Sequence, residues 1–189
     1  ASLSTILNAR GLIYDSMADY DAALPLFEQA LAFDEQVFGA DHPELAIDVA
    51  NLARVQEARG DYEQALALAQ RAVDITERAL GPDHPYVGAY LDDLGSVYLA
   101  MGHSQQALGH YERGLALRER VLPPTHPEIS SALADLALVH KQLGDYDEAV
   151  ALNERALALR TAAFGPDHRL VAASLANLAS VYLATGDYA

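Results

Sequence analysis

The chain has 189 residues, 51% of them apolar, which suffices for one ordinary domain with a hydrophobic core. Its 27 acidic and 12 basic residues give a net charge of −15, so nucleic-acid phosphates or an anionic membrane surface would be repelled. The absence of cysteine excludes disulfides, thiolate metal sites and a cysteine nucleophile.

The sequence opens at Ala1–Ser4 with no basic segment and no long apolar run. We therefore expect neither a signal peptide nor a transmembrane helix, and a cytoplasmic location. The abundance of alanine and the predominance of arginine over lysine suggest a bacterial source.

Along most of the chain, apolar residues recur at intervals of three and four, which is the period of amphipathic helices. Gly60 can end one helix in a left-handed conformation, and Asp61 can cap the next. Pro43 is placed like a first-turn proline, with the preceding Asp41 or His42 as the cap. In chain order, the predicted helices span 3–17, 20–37, 43–59, 62–79, 85–101, 104–121, 127–143, 146–163 and 169–185.

Four histidines recur at a constant interval of 42 residues: His42, His84, His126 and His168. A fixed period of this size indicates an array of stacked repeats, here one helix pair per repeat. We predict a single array over 1–189. Its approximate repeats are 3–42, 43–84, 85–126, 127–168 and an incomplete 169–189.

Small residues and a Gly-Asp-Tyr motif recur in register with the histidines. The motif stands at Gly60–Tyr62, Gly144–Tyr146 and Gly186–Tyr188, and one early position of each second helix is always alanine, as at Ala65 and Ala149. In these recurring residues the chain resembles the tetratricopeptide repeat. It is most similar to the kinesin-light-chain type, whose repeats exceed the usual length of about 34 residues. The resemblance implies an all-α fold, a right-handed superhelix of antiparallel helix pairs.

The resemblance also implies a function, a protein-interaction scaffold whose first helices line a concave groove for a peptide or a partner domain. Asn51 and Asn177 match the groove asparagine of the family, whose amide can both donate to and accept from an extended peptide. By the resemblance, the groove positions are Asn8, Leu12, Asp15, Asn51, Arg54, Glu57, Asp92, Asp93, Ser96, Asp135, Leu138, Lys141, Asn177 and Ser180.

The charges of these groove positions predict the partner. Together with the neighbouring Asp48, six are acidic and two, Arg54 and Lys141, are basic. We therefore expect a protein or peptide that is basic or neutral, with no nucleic acid and no membrane. The alternative is that the carboxylates only solvate a scaffold whose interface lies elsewhere.

Two other roles remain open. The array could be an intramolecular sensor or spacer that regulates an effector domain of the same chain, because the last repeat stops early and the sequence reads as a fragment of a larger protein. The last first helix would then expose an apolar face, which could also drive end-to-end self-association.

Catalysis and metal binding have little support in the sequence. No nucleophile elbow, phosphate loop or His-Glu-x-x-His motif occurs. The four periodic histidines lie on different repeats. Two interhelical distances of 8–10 Å separate equivalent atoms of neighbouring repeats by roughly 20 Å, so one metal cannot bind all four histidines. We predict no enzyme, no cofactor and no metal site, and histidines that serve as caps.

The arginines of the second helices lie near glutamates that could pair with them. We expect this set to form a solvated outer face. It comprises Arg71, Arg78, Arg113, Arg118, Arg120, Arg155 and Arg160.

Overall fold

The structure, a computed structural model, describes residues 2–186. Within this range the chain forms nine α-helices and no strand, in agreement with the predicted all-α class. The helices are α1 (Leu3–Ser16), α2 (Tyr20–Phe38), α3 (Leu45–Arg59), α4 (Tyr62–Leu80), α5 (Pro85–Ala100), α6 (Ser104–Val121), α7 (Pro127–Leu143), α8 (Tyr146–Phe164) and α9 (Arg169–Thr185).

The predicted helices are confirmed with small shifts at their ends. The largest shift is at α3, which begins at Leu45 rather than at Pro43. Gly60 ends this helix in the left-handed conformation, with φ of 84°, as the sequence predicts. The predicted side-chain cap at Asp61 is wrong, because its carboxylate makes no cap hydrogen bond, whereas Asp19 caps α2 through the Ala22 N–H.

Three of the periodic histidines, His84, His126 and His168, are the N-cap residues of α5, α7 and α9, whereas His42 lies in the turn before α3. In every repeat the imidazole Nδ1 accepts a hydrogen bond, 3.3 Å long, from the backbone N–H two residues further on. The rings also pack on the turn, since His42 stacks on Phe38 and His168 on Phe164 with ring centroids 4.6 Å apart. The predicted role as helix caps is therefore confirmed for His84, His126 and His168, whereas His42 caps only the turn before α3.

The helices form two compact units, the first ending at Gly102 and the second beginning at His103. In unit 1, α1 packs on α2 and α3 on α4, and the core is built from apolar side chains of these pairs and of α5. Phe27 is fully buried there. A Cβ at Gly11 would lie 2.6 Å from the Phe27 ring, so glycine is required where α1 crosses α2.

In unit 2, α6, α7, α8 and α9 each pack on the next, around fully buried side chains such as Leu133 and Val139. The predicted solvated arginine face is wrong at two positions, because Arg118 and Arg160 are each only 6% exposed. Arg160 is buried because α7 and α9 supply acceptors for its guanidinium. They are Ser130 Oγ at 3.3 Å, Ser130 O at 3.3 Å, Ser174 Oγ at 2.8 Å and Leu170 O at 3.4 Å.

Candidate peptide-binding face

Each unit has a surface that carries predicted groove residues, which we call its first-helix face; α1, α3 and α5 form it in unit 1, and α7 and α9 form it in unit 2. In unit 1, three polar bridges join its neighbouring helices. Asn8 Nδ2 donates to Asp48 Oδ1 at 2.5 Å, and Ser96 Oγ donates to Glu57 Oε1 at 2.6 Å. The third bridge is the ion pair of Arg54 with Asp15.

Two of these bridges occupy the same two positions of the repeat, and so does a third in unit 2. Asp15 pairs with Arg54, Glu57 accepts from Ser96, and Lys141 Nζ donates to Ser180 Oγ at 3.1 Å. In each case the partners are 39 residues apart, because a residue near the end of one first helix reaches the middle of the next. The predicted groove residues are thus brought together partly by contacts with each other.

The groove asparagine Asn51 is likewise engaged within the fold. Its Oδ1 accepts a hydrogen bond of 3.3 Å from Arg54, whose guanidinium also pairs with Asp15. Its amide N–H groups make no hydrogen bond among residues 2–186, so the donor half of the side chain can serve a peptide carbonyl.

In unit 2, the predicted residues converge on a cavity of about 260 Å³ between α7, α8 and α9. Leu138 is 47% exposed, and Asn177 is exposed at the opposite wall. The five predicted residues of this unit all line it: Asp135, Leu138, Lys141, Asn177 and Ser180.

The sequence did not predict Asn153, which lines the same cavity from α8. The residue is 2% exposed, and its Nδ2 donates to Ala149 O at 2.9 Å within its own helix. Its buried Oδ1 receives no hydrogen bond from the described residues. Asp135 lies on the exposed surface of α7. Burial of its carboxyl group by neighbouring protein atoms nevertheless raises its pKa, although the positive charges of Arg118 and Arg160 act to lower it.

In unit 1, a cavity of about 390 Å³ lies between α1, α2 and α3. Two predicted residues, Asn8 and Leu12, line it together with Asp48. Two acids on its wall were missed by the sequence reading: Asp34 of α2, which is 8% exposed, and Glu44 in the turn before α3. We call this space the acidic cavity.

The electrostatics of the acidic cavity centre on Asp48, which is fully buried. Burial raises the pKa of its carboxyl from 3.8 to about 6. The hydrogen bond from Asn8 opposes this rise, whereas the nearby carboxyls of Asp34 and Glu44 add to it. Asp48 therefore carries a charge that its surroundings disfavour.

An aromatic cavity of about 580 Å³ lies beside the acidic cavity and shares Glu44 and Ile47 with it. Tyr86, which is 64% exposed, and Tyr90 form part of its lining. Burial raises the pKa of Tyr90 to about 12, so its hydroxyl keeps its proton at neutral pH. None of the predicted groove residues lines this cavity.

Asp92 and Asp93, the remaining predicted residues, lie half-buried on α5. Each takes part in a polar interaction, so neither is a free carboxylate. A further cavity, about 720 Å³, opens at the α7–α8 turn of unit 2 around Asp145 and Tyr146. No predicted groove residue lines that cavity either.

Comparison with known proteins identifies the repeat. Residues 2–77, 45–120 and 128–189 match the model of the tetratricopeptide repeat. The chain belongs to the tetratricopeptide repeat family. Tetratricopeptide repeats generally act as scaffolds for protein–protein interactions. No curated protein sequence matches the chain.

Solved structures agree with this assignment. The chain is similar to the nearly identical TPR-like repeats of a Podosopora anserina protein described as a kinesin light chain, at 26% identity and a TM-score of 0.84, covering 99% of this chain and 90% of that one. A single-substitution variant of that protein gives 27% identity, the same TM-score, and coverage of 97% and 87%. BtubC (BKLC) of P. vanneervenii shares the fold at 22% identity and a TM-score of 0.83, covering 96% and 72%.

These matches confirm the predicted kinesin-light-chain type of tetratricopeptide repeat. Among the described residues, no group of three or more His, Cys, Asp or Glu side chains could hold a metal ion. No helix in the same part of the chain is long and apolar enough to cross a membrane. Asp187 and Tyr188, which complete the last predicted Gly-Asp-Tyr motif, lie outside the described residues.

Proposed function

We propose that this tetratricopeptide repeat chain is a non-catalytic scaffold of the cytoplasm, which binds a peptide or a partner domain along its first-helix face. One observation carries the proposal. The five groove positions predicted in unit 2 line a single cavity, which is also lined by Asn153, whose buried Oδ1 receives no hydrogen bond from the described residues. Apolar, donor and acceptor groups thus meet in one concave site, as peptide recognition requires.

The charges of the face favour a basic or neutral partner. Its two cations are engaged within the fold, since Arg54 pairs with Asp15 and Lys141 bonds to Ser180. Glu57 and Asp135 remain as acidic groups beside them. Such a surface attracts a positively charged partner, which speeds its association and fixes its alignment, whereas an acidic peptide is repelled.

The test is selection of a displayed library of linear peptides against the whole chain. We expect enrichment of basic extended sequences, with binding lost in Leu138→Ala and Asn177→Ala and weakened by salt. Asp135→Lys should weaken binding further, whereas Glu154→Lys, an exposed charge reversal on α8, is the matched control and should not. Enrichment that ignores the three cavity substitutions would reject the first-helix face as the binding site.

A second candidate is contact with a neighbouring domain or a second copy through α9. It is favoured by apolar side chains of α9 that face solvent, Leu175 at 52% exposed and Leu183 at 64%. Sedimentation over a range of concentrations would reveal self-association, which Leu175→Glu with Leu183→Glu should abolish. A wild-type chain that stays monomeric at high concentration would leave the neighbouring domain as the only form of this candidate.

A further inference from the structure

One position of the repeat is polar and buried in all four full repeats, although its chemistry changes. Counting 42 residues at a time, it holds Asp34, Thr76, Arg118 and Arg160, each less than 9% exposed. In the last of these repeats the position contains a guanidinium, which donates to Ser130, Leu170 and Ser174. The fold therefore has room at this point for a guanidinium group.

In the first repeat of unit 1, the same position holds an acceptor, Asp34, instead of a donor. Asp48 corresponds to Ser174, and its Oδ2 receives no hydrogen bond from the described residues. The buried Oδ1 of Asn8 is also without a donor, and the Asp34 carboxyl stands next to Asp48. Two carboxylates and an amide carbonyl thus share one small space, and such buried acceptors are costly unless a donor reaches them.

The acidic cavity is lined by the three residues that carry these acceptors, Asn8, Asp34 and Asp48. Its outer wall carries three apolar side chains that are about half exposed, Leu12, Phe38 and Ile47. An aliphatic stem with a charged head fits that arrangement, since the stem packs on the wall while the head reaches the acids.

We propose that the acidic cavity is the subsite for one arginine side chain of the bound partner, whose guanidinium occupies in unit 1 the place that Arg160 fills in unit 2. This inference rests on the proposed function and deepens it. Arginine fits better than lysine because its planar group presents five N–H donors, enough for both carboxylates and the Asn8 carbonyl together.

Binding of the cation is linked to release of a proton. The Asp48 carboxyl holds a proton at low pH, because burial and the neighbouring Asp34 carboxyl raise its pKa to about 6. The other titratable groups that act on Asp48 are Glu44 and Tyr90, and both are anionic when charged. Affinity for an arginine peptide therefore rises between pH 5 and pH 7.5.

The experiment compares three capped alanine–glycine peptides that differ only at a central arginine, lysine or citrulline. Each is titrated into the whole chain at pH 7.5, with NMR detection of the Asn8 side-chain amide. We expect the arginine peptide to bind about tenfold more tightly than the citrulline peptide, because a charged group replaces a neutral one of the same shape. Its affinity should fall by a similar factor at pH 5.

Asp48→Asn should remove the preference for arginine and the pH dependence together, whereas Glu28→Gln, at an exposed acid on α2, is the matched control and should change neither. Asp34→Arg supplies the guanidinium from within and should block the peptide. Equal affinity for arginine and citrulline, or an arginine preference that survives in Asp48→Asn, would overturn the inference. The proposed function would still stand in that case if library peptides bind and require Leu138 and Asn177.

Discussion

The two units place oppositely charged residues at the same buried position of the repeat. At one buried position of the repeat, unit 1 places Asp34 beside Asp48, and unit 2 places Arg160 beside Ser174. In unit 2 the Arg160 guanidinium makes four hydrogen bonds, which involve all three of its nitrogens, whereas in unit 1 the acceptors outnumber the donors. Repeats with the same backbone can therefore differ in whether their buried polar groups are all hydrogen-bonded. The repeat with unsatisfied acceptors is the one suited to bind a cationic side chain.

A second difference concerns the contact between the helices of a pair. In unit 1, Gly11 faces the ring of Phe27, and in unit 2 the equivalent residues are Ala137 and Asn153. A large ring on the second helix leaves no room for a Cβ on the first, while the smaller asparagine allows alanine. Within the family pattern of small residues, the size of the residue on the first helix therefore depends on the size of the residue that it faces on the second helix.

The largest expected effect comes from breaking the ring contact of unit 1. Phe27→Ala should lower the free energy of unfolding by about 3–5 kcal/mol, because it leaves a cavity where a fully buried ring was. Urea denaturation followed by circular dichroism measures the change. Adding Gly11→Ala should restore part of the loss, since the new methyl group enters the vacated space; a double variant as unstable as the sum of both changes would contradict the compensation.

The next effect comes from the buried arginine of unit 2. Arg160→Ala should cost about 2–3 kcal/mol, because it removes a packed stem and several hydrogen bonds from a charged donor. Arg155→Ala, on the same helix, is the control and should cost less than about 1 kcal/mol, since its ion pair with Glu119 is solvent-exposed. Equal losses at Arg155 and Arg160 in urea denaturation would show that burial of Arg160 contributes nothing.

A smaller effect, of opposite sign, is expected in unit 1. Because the pKa of Asp48 is raised to about 6 in the folded state, the folded chain loses stability relative to the unfolded chain as pH rises from about 4 to 6. Asp48→Asn should therefore stabilise the protein at pH 7.5 by about 2 kcal/mol. The gain should disappear near pH 4, where the aspartate is protonated; a gain that is equal at both values, measured by denaturation across pH, would contradict this account.

The smallest effect tests the bridges between repeats. Ser96→Ala removes the donor to Glu57 and should cost about 0.5–1.5 kcal/mol, because that bond is partly buried. Ser131→Ala, at an exposed position of α7, should be neutral by comparison. Calorimetric melting temperatures would show the difference, and identical values for the two variants would mean that the bridge is only incidental.

The sequence predicted the helices well because their boundaries are marked chemically. Histidine caps and left-handed glycines recur at a fixed interval, and each acts locally, so neighbouring residues decide where a helix begins or ends. The buried charges were missed because periodic patterns assign charged residues to the surface. Comparing Asp34, Thr76, Arg118 and Arg160 as one repeat position would have revealed a polar set among apolar neighbours.

The candidate site was predictable only in part. The resemblance located the first-helix residues, but it did not reveal that Arg54 would be engaged by Asp15 or Lys141 by Ser180. Those pairings depend on how closely adjacent helices approach, which a single sequence does not contain. The unsatisfied oxygens of Asn8 and Asn153 are equally invisible there, because they result from the absence of a neighbour in space.

The bridges between first helices also encode the order of the repeats. Each bridge joins the same two repeat positions, yet its chemistry changes from Asp15 with Arg54 to Glu57 with Ser96 and Lys141 with Ser180. If the repeat that carries Lys141 were moved in front of the one that carries Arg54, two cations would meet where an ion pair stood. Although the repeats share one length and one backbone, they are not interchangeable modules, and duplication or recombination can reorder them only where neighbouring charges still match.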